Sequence, residues 1–352
     1  MKTAVILSTY GEPTHNSFTA QWMYSYRILK GLTRRIAKIP APVIPIAATT
    51  RGIGRVRTWK AENFVSPLEP LTDRTVQALQ SEINRQLSPA SADSILIARA
   101  YEFRKPDLAD ILPALRDHGC ERYILIPMYI GTGDFTDGMT QMKLEQATAR
   151  HNWLRQYSVE WLQIADDANS RQALADCMVR HIRQCVSQRG LELPARQWAI
   201  CLAAHGSVQT PPDGVDNGVI SFGEVGWRVY KQARDLFGIA RLGWLNHTKG
   251  GRWTEPAVPR TLELLHKLGY RNCVYFPWGF TTDNAESTLE GGMFAREMQQ
   301  PFDRFEHLPC LNNTPDFIRL LADRILEHLA LAEPTPQAVE PSPARQHAEV
   351  AI

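Results

Sequence analysis

The sequence lacks the features that mark several common protein classes. It contains no paired Cys-x-x-Cys motif, and its six cysteines stand singly inside apolar or helical segments. This spacing argues against a zinc ribbon, a thioredoxin-type site or an iron–sulfur cluster. Small buried hydrophobic side chains are the better interpretation of these cysteines. We therefore expect the protein to carry no iron–sulfur cluster.

Excess charge and long apolar runs are also missing. The net charge is only +2, which is too small to predict nucleic-acid binding from bulk electrostatics. No apolar run approaches the ~20 residues that a membrane span needs. The first residues lead into a short strand pattern without the apolar region of a signal peptide. We expect a cytoplasmic protein that binds no nucleic acid, and peripheral membrane contact is left open.

Several short apolar runs are typical of buried parallel strands, because they are continuous rather than alternating. These runs are Ala4–Ser8, Ile95–Ala98, Tyr123–Pro127, Ala199–Ala204 and Cys273–Pro277. Helical patterns lie between them. Strands that alternate with helices predict an α/β protein with a parallel, doubly wound sheet arrangement.

An internal repeat divides this pattern into two halves. Residues 106–127 and 256–277 align without gaps, and each copy predicts a helix, a glycine C-cap, a strand and a proline. A second match aligns residues 3–11 with 198–206 and places Tyr10 opposite His205. Two such matches in the same order predict two similar α/β lobes.

The repeat suggests the domain boundaries. We expect an N-terminal lobe over residues 1–155 and a C-terminal lobe over residues 156–332, which ends in a long helix that starts at Thr314-Pro315. Residues 333–352 are rich in proline and alanine and contain little to pack, so we expect this tail to be disordered.

Chemistry in such folds is found beyond the carboxyl ends of the strands. His205 directly follows a predicted strand, and a neutral imidazole there can ligate a metal or accept a proton near neutral pH. Glu286 follows the strand that ends near Pro277 and precedes a helical pattern. By itself, Glu286 is better explained as a carboxylate that the helix dipole stabilises.

Six segments in the expected order resemble motifs of the ferrochelatase family, over roughly residues 1–330. They are Tyr10-Gly11-Glu12-Pro13, Ser66-Pro67-Leu68, Ile126-Pro127-Met128-Tyr129, Ala203-Ala204-His205-Gly206, Gly243-Trp244 with Trp253-Thr254-Glu255-Pro256, and the segment from Gly279 to Glu286. The first loop is similar to the tyrosine-containing variant of coproporphyrin-type ferrochelatases. The resemblance implies two Rossmann-like, chelatase-type lobes with four-stranded parallel sheets, flanked by helices and separated by a cleft.

The resemblance also implies a metal site. It assigns His205 and Glu286 the catalytic and metal-binding roles, facing each other across the cleft and receiving both the metal and the pyrrole protons. Metal insertion removes two N–H protons, and an imidazole with a carboxylate can hold Fe(II) loosely and accept protons. Glu290 would extend a carboxylate row from Glu286. His247 is either an additional ligand or a solvated loop histidine.

The same resemblance implies a binding surface for a tetrapyrrole. Trp22 and Tyr26 belong to an aromatic segment that would either cover the macrocycle or pack as a core helix. Tyr10 would approach the metal from the face opposite His205. Ser66 and Tyr129 lie in matching motifs and are expected to contact the substrate. The arginines near residues 27–57 suit recognition of propionate groups, although scattered surface arginines are common.

Some segments depart from the family pattern. Residues 131–134, 214–224 and 245–248 replace conserved runs of the family, which leaves room for a divergent member. We expect a ferrochelatase-like lyase that inserts Fe(II) into a carboxylate-bearing porphyrin in heme biosynthesis, with no cofactor beyond the substrate metal. The alternatives are a chelatase for another metal or tetrapyrrole, and a tetrapyrrole carrier without turnover. Both a monomer and a homodimer are compatible with the sequence.

Overall fold

The computed structural model describes residues 2–35, 39–89, 94–209, 211, 214–246, 252–298 and 301–331. Strands β1 (Lys2–Thr9), β2 (Ile95–Tyr101), β3 (Cys120–Pro127) and β4 (Ser158–Trp161) form one sheet in the order β2-β1-β3-β4. Strands β5 (Ala195–His205), β6 (Phe237–Leu245), β7 (Asn272–Phe276) and β8 (Arg304–His307) repeat this order as β6-β5-β7-β8. All pairings are parallel. The prediction of two similar lobes with four-stranded parallel sheets is confirmed.

Helices connect and cover the strands. In the first half they are α1 (Phe18–Arg35), α2 (Val43–Ala61), α3 (Leu68–Gln86), α4 (Leu108–Asp117) and α5 (Asp137–Arg150), followed by a 3₁₀ turn at Asn152–Gln156. In the second half they are α6 (Ala168–Gln188), α7 (Val219–Leu236), α8 (Val258–Lys267), a π-helical turn at Ala285–Glu290, α9 (Gly291–Met298) and α10 (Pro315–Leu331).

The continuous apolar runs form the central strands. Residues Ala4–Leu7 of β1 are fully buried, as are Ala199–Ala204 of β5, because helices cover both faces of each sheet. The repeated segments fold alike, since residues 106–127 contain α4 and β3 whereas residues 256–277 contain α8 and β7. In each copy a glycine with positive φ, Gly119 or Gly269, follows the helix as predicted.

The first sheet extends past residue 155, where the sequence places the end of the N-terminal lobe. Strand β4 pairs with β3 from Ser158↔Arg122 to Trp161↔Leu125. It has only four residues, and none of them is fully buried. It therefore lacks the continuous apolar run that identifies the central strands. The predicted boundary therefore needs to move beyond β4 for the first sheet to be complete.

The terminal helix packs on both halves of the molecule. Helix α10 contacts α3 and α6, and Gln86 at the end of α3 donates a hydrogen bond to Asp323. The largest hydrophobic cluster likewise contains Val5 of β1, Ile200 of β5 and Leu321 of α10. The two sheets therefore share one apolar core, which fixes the orientation of their carboxyl ends.

Two predictions lie outside the described residues, namely the role of His247 and the disorder of the tail at 333–352. Among the helices that the structure does describe, none combines the length and apolar character that crossing a membrane requires. The six cysteines are all buried and unpaired with one another, which confirms their interpretation as small hydrophobic side chains.

Candidate active site

His205 is the last residue of β5, and its ring orientation is set by the next residue. Nδ1 lies 2.6 Å from the carbonyl oxygen of Gly206. A carbonyl only accepts hydrogen bonds, so Nδ1 carries the proton and a neutral ring presents the lone pair of Nε2. Gly206 has no room for a side chain, because an added Cβ would meet the side chain of Asn246. The close approach of the β6 end thus requires glycine after the histidine.

Glu286 lies in the first turn of the π helix. The side chain of Asn284 caps this turn by accepting hydrogen bonds from the N–H groups of Glu286 at 2.8 Å and Ser287 at 3.0 Å. Oε2 of Glu286 is 3.8 Å from Nε2 of His205. The two side chains are 29% and 38% exposed respectively, so solutes can reach them. The structure brings this predicted pair together.

The first lobe provides the opposite side of this pair. Glu286 interacts electrostatically with Tyr10, Tyr24 and Arg51. Burial raises the pKa of Tyr10 well above its ordinary value, and the charge of Glu286 adds to this effect. The phenol of Tyr10 therefore stays protonated at neutral pH. Tyr10 and the pair of His205 and Glu286 lie at one site, although they are far apart in the sequence.

Glu12 links the first lobe to the π helix. Its Oε2 accepts hydrogen bonds from the hydroxyl of Ser66 at 2.6 Å and from the N–H of Ala285 at 3.0 Å. Burial raises the pKa of Glu12, whereas the charge of Arg55 and the bond from Ser66 lower it. Ser66 therefore contacts the site indirectly, through its hydrogen bond to Glu12.

Tyr129 faces Tyr10 at the end of β3. The two rings meet edge to face with centroids 4.9 Å apart, and the hydroxyl of Tyr129 donates a 2.7 Å hydrogen bond to Glu102. Tyr10 is followed by Gly11 with φ of +75°, where an added Cβ would meet the ring of Tyr101 at 2.7 Å. Glycine follows Tyr10 for the same reason that it follows His205, since a neighbouring strand end passes close by.

Trp22 and Tyr26 pack differently from the other aromatic candidates. Their rings stack on each other at 5.2 Å, and Nε1 of Trp22 donates to the hydroxyl of Thr49 on α2 at 3.0 Å. Both lie against the small core between α1 and α2. Tyr24 of the same helix interacts electrostatically with Glu286. Contact of Trp22 and Tyr26 with a substrate stays a prediction.

Glu290 lies at the end of the π helix, which differs from the α-helical turn that its spacing from Glu286 predicts. The N–H of Gly291 bonds to the carbonyl of Glu286, which is the five-residue step of a π turn. The charge of Glu290 contributes to the raised pKa of Tyr275, of which burial is the main cause. Glu290 therefore lies on the side of the buried Tyr275.

Two buried carboxylates of the site, Glu12 and Glu102, are not among the residues that the sequence predicted. Glu12 stands inside the Tyr10 loop, and Glu102 directly follows β2. The rule that polar residues at strand ends form sites would have identified both. Their burial, at 6% and 1% exposure, is set by residues distant in the chain and has no local signal.

The arrangement suits a metal that is held transiently. Within the described ranges, no three His, Cys, Asp or Glu side chains are grouped so that they could hold a metal ion. His205 and Glu286 offer one nitrogen and one carboxylate, which is fewer than the four ligands of a structural zinc site. Among the described residues, further ligands for a divalent ion at this pair would come from water or from a substrate.

Comparisons with known proteins find chains of similar sequence and of similar fold. The ferrochelatase of Methylocella silvestris is 23% identical over 279 residues, which cover 78% of this chain and 75% of that protein. The structure of SirB from Bacillus subtilis with Fe³⁺ has a TM-score of 0.50 at 10% identity, covering 95% of this chain and 98% of that one. CbiX, described as the terminal enzyme of siroheme biosynthesis in denitrifying bacteria, has a TM-score of 0.48 at 14% identity, covering 93% of this chain and 99% of that one.

A family model matches nearly the whole chain. The family model for ferrochelatase matches residues 2–329, which include both sheets and every described residue of the site. The chain belongs to the ferrochelatase family.

Proposed function

We propose that this protein is a chelatase that inserts a divalent metal, Fe(II) in the first instance, into a carboxylate-bearing porphyrin. The observation that carries the proposal is the 3.8 Å approach of His205 Nε2 to Glu286 Oε2 in a chain of the ferrochelatase family. Insertion removes two pyrrole protons and strips water from the metal. An imidazole and a carboxylate can serve both as metal ligands and as proton acceptors.

The small number of metal ligands among the described residues supports a substrate metal rather than a resident one. A closed set of four protein ligands would retain the ion, whereas insertion requires its release to the ring nitrogens. A borderline nitrogen ligand and a hard oxygen ligand suit Fe(II) and leave room for exchange.

The charge of the first lobe supports a substrate with carboxylate groups. Arg51 and Arg55 lie one turn apart on α2, and the pKa of Arg51 is lowered by burial and by the positive charge of Arg55. Two neighbouring guanidinium groups repel each other, and binding an anion between them relieves this repulsion. The aromatic rings of Tyr10 and Tyr129 offer apolar area for a flat macrocycle.

The test is a spectroscopic assay of the purified chain under anaerobic conditions. Coproporphyrin III, protoporphyrin IX and sirohydrochlorin are each combined with Fe(II), Co(II) and Zn(II), and absorption spectra follow insertion. We expect turnover with at least one carboxylate-rich porphyrin and Fe(II). Turnover only with sirohydrochlorin or only with Co(II) would instead support a chelatase for another tetrapyrrole or metal.

Two variants test the roles of the pair. His205→Ala and Glu286→Gln should each lower kcat by roughly 10²-fold or more, while the Kd of the porphyrin changes little. His118→Ala and Glu263→Gln, at exposed positions distant from the pair, are the matched controls and should keep wild-type turnover. Binding of the ring without insertion by the wild type, and equal binding by both variants, would indicate a tetrapyrrole carrier.

A further inference from the structure

Glu102 is a buried carboxylate on the first-lobe side of the candidate active site. Its side chain is enclosed by β1, α5 and the segment after β3, and the residue is only 1% exposed. Within the part of the chain that the structure describes, its hydrogen-bond donors are three hydroxyl groups, from Ser8, Tyr129 and Thr140. Glu102 is thus fully enclosed, and neutral hydrogen-bond donors of the protein stabilise its carboxylate.

Such a carboxylate exchanges a proton readily near neutral pH. Burial raises the pKa of Glu102 to about 7, against the opposing effects of the hydroxyl donors and of the positive charge of Lys143. Isolated carboxylic acids lose their proton well below this range. Glu102 can therefore accept a proton at neutral pH and release it again.

A hydrogen bond, a ring contact and an electrostatic interaction lead from Glu102 toward the opposite lobe. Oε2 of Glu102 accepts the hydrogen bond of Tyr129 at 2.7 Å, and the ring of Tyr129 meets that of Tyr10 at 4.9 Å. Tyr10 in turn interacts electrostatically with Glu286. The space between Glu286 and Tyr129 is thus bordered by both lobes.

Tyr129 is suited to pass protons rather than to hold a charge. Burial raises its pKa well above the ordinary value, and the nearby charges of Glu102 and the phenol of Tyr10 act in the same direction. A tyrosinate is therefore not stable there. The hydroxyl can receive one proton only while giving its own to Glu102.

We propose that Glu102 is the acceptor of a tetrapyrrole proton during metal insertion and acts through the hydroxyl of Tyr129, from the side opposite His205 and Glu286. The inference rests on the proposed chelatase function and adds a second proton acceptor to it. Insertion releases two protons, and a metal held on one side of the ring obstructs that side, so the second proton leaves more readily from the other face.

The step is balanced without any further reactant. A pyrrole N–H bond breaks and its electron pair forms the bond to the metal. The proton passes to the oxygen of Tyr129 while the proton of Tyr129 moves to Oε2 of Glu102. Tyr129 ends as it began, and the Glu102 carboxylate becomes a carboxylic acid, which returns its proton through the hydroxyl of Tyr129 to water after the product leaves.

Several titratable and polar groups surround Glu102, and each of them bears on the assignment of a pH effect to this residue. Tyr129 and Tyr10 lie on the cleft side, Lys143 comes from α5, and the hydroxyls of Ser8 and Thr140 complete the enclosure. The tyrosines have raised pKa values because of burial. The pKa of Lys143 is lowered by burial, although the charges of Asp107 and Glu102 oppose this effect. If the dependence of kcat on pH has a limb near neutral pH that disappears in Glu102→Gln, the ionisation of Glu102 is therefore its cause.

The experiment compares three variants of the full chain with the porphyrin and metal pair that the wild type converts fastest in the panel above. Glu102→Gln and Tyr129→Phe should each lower kcat by roughly 10²-fold and leave the Kd of the porphyrin within about twofold. Glu102→Gln should also remove a limb near pH 7 from the dependence of kcat on pH. Glu160→Gln, a carboxylate of the same sheet paired with Arg122 and His328, should keep wild-type kcat.

The possible results distinguish a failure of the Glu102 relay from a failure of the proposed chelatase function. Wild-type kcat and an unchanged pH profile in Glu102→Gln would overturn the inference, as would a change confined to KM. If Glu102→Gln does not fold, Tyr129→Phe decides alone, because it keeps the carboxylate and its bonds from Ser8 and Thr140; unchanged kcat there refutes the relay. If the wild type converts no pair in the panel, the proposed function itself is wrong.

Discussion

The stability of the protein should depend on pH through Glu102, and Glu102→Gln should remove this dependence. Glutamine has the same shape as a protonated glutamate, so its amide can keep contacts with the hydroxyls of Ser8, Tyr129 and Thr140. It cannot ionise. The variant therefore isolates the free energy of charging one buried carboxylate.

The expected magnitude follows from the pKa. Glu102 has a pKa of about 7 in the folded protein because burial disfavours the charged form, compared with an ordinary value of 4.5. Between these values the folded state binds more protons than the unfolded state, so the free energy of unfolding falls as pH rises. The stability that Glu102 contributes is fully present below pH 4.5 and is lost through pH 7. The loss amounts to about 3 kcal/mol at roughly 1.4 kcal/mol per pH unit.

The assay is urea unfolding of the wild type and Glu102→Gln at about pH 5 and about pH 8.5, which bracket most of this interval. Relative to the wild type, the variant should become more stable by about 3 kcal/mol between the two conditions. Most other titrating groups are common to both proteins and cancel in the comparison. A difference that stays constant with pH would show that Glu102 ionises as an exposed glutamate does, and would refute the reasoning.

Glu160→Gln is the matched control for this experiment. The hydrogen bonds of Arg122 lower the pKa of Glu160 to about 2, so its stabilising effect is present above its ordinary pKa and is lost only as the pH falls toward 2. Between pH 5 and pH 8.5 it stays ionised in both states. Both proteins of this control pair carry His328→Gln, so that the imidazole that contacts Glu160 does not contribute. Glu160→Gln should then differ from its parent by the same free energy at both pH values.

Three further predictions concern the scaffold of the site. Glu12→Ala should destabilise the fold by about 1–3 kcal/mol, measured by urea unfolding, because it leaves the buried donors of Ser66 and Ala285 without their acceptor. Gly279→Ala should cost a similar amount, about 1–3 kcal/mol, and reduce turnover, since the added Cβ lies 2.6 Å from Cα of Ala204; Gly223→Ala, where the added Cβ meets nothing within 4 Å, should do neither. Thiol reagents should label the native protein slowly and label all six cysteines after unfolding, because every cysteine is buried and burial raises the pKa of each thiol; rapid labelling of the native chain would contradict this.

The central strands and the lobe repeat were predictable because their signal is local. Strand β5 is a continuous apolar run, and the repeated copies keep the same order of helix, glycine and strand. Strand β4 was not predictable, because Ser158–Trp161 is short and half exposed. Only its pairing with β3 makes it a strand.

The site divides in the same way between local and distant signals. His205 and Glu286 lie in motifs that can be recognised from the neighbouring residues in the sequence. The enclosure of Glu102 depends on Ser8, which is 94 positions away, and on Thr140, which is 38 positions away. No pattern around Glu102 reports that these hydroxyls converge on it, so only the folded chain reveals the carboxylate as buried.

The repeat also pairs positions at which the two lobes carry different side chains. The N–H of Tyr101 bonds to the carbonyl of Pro106 at 2.9 Å, and that of Trp244 bonds to Pro256 at 3.0 Å, so the next residues, Glu102 and Leu245, occupy matching positions. Leu245 packs in the apolar core of its lobe, whereas Glu102 is solvated by hydroxyls. The two strand ends share this hydrogen bond, although the loop that closes it is longer in the second lobe. At this position the first lobe therefore carries an ionisable side chain and the second lobe an apolar one, whereas the imidazole and carboxylate pair lies in the second lobe.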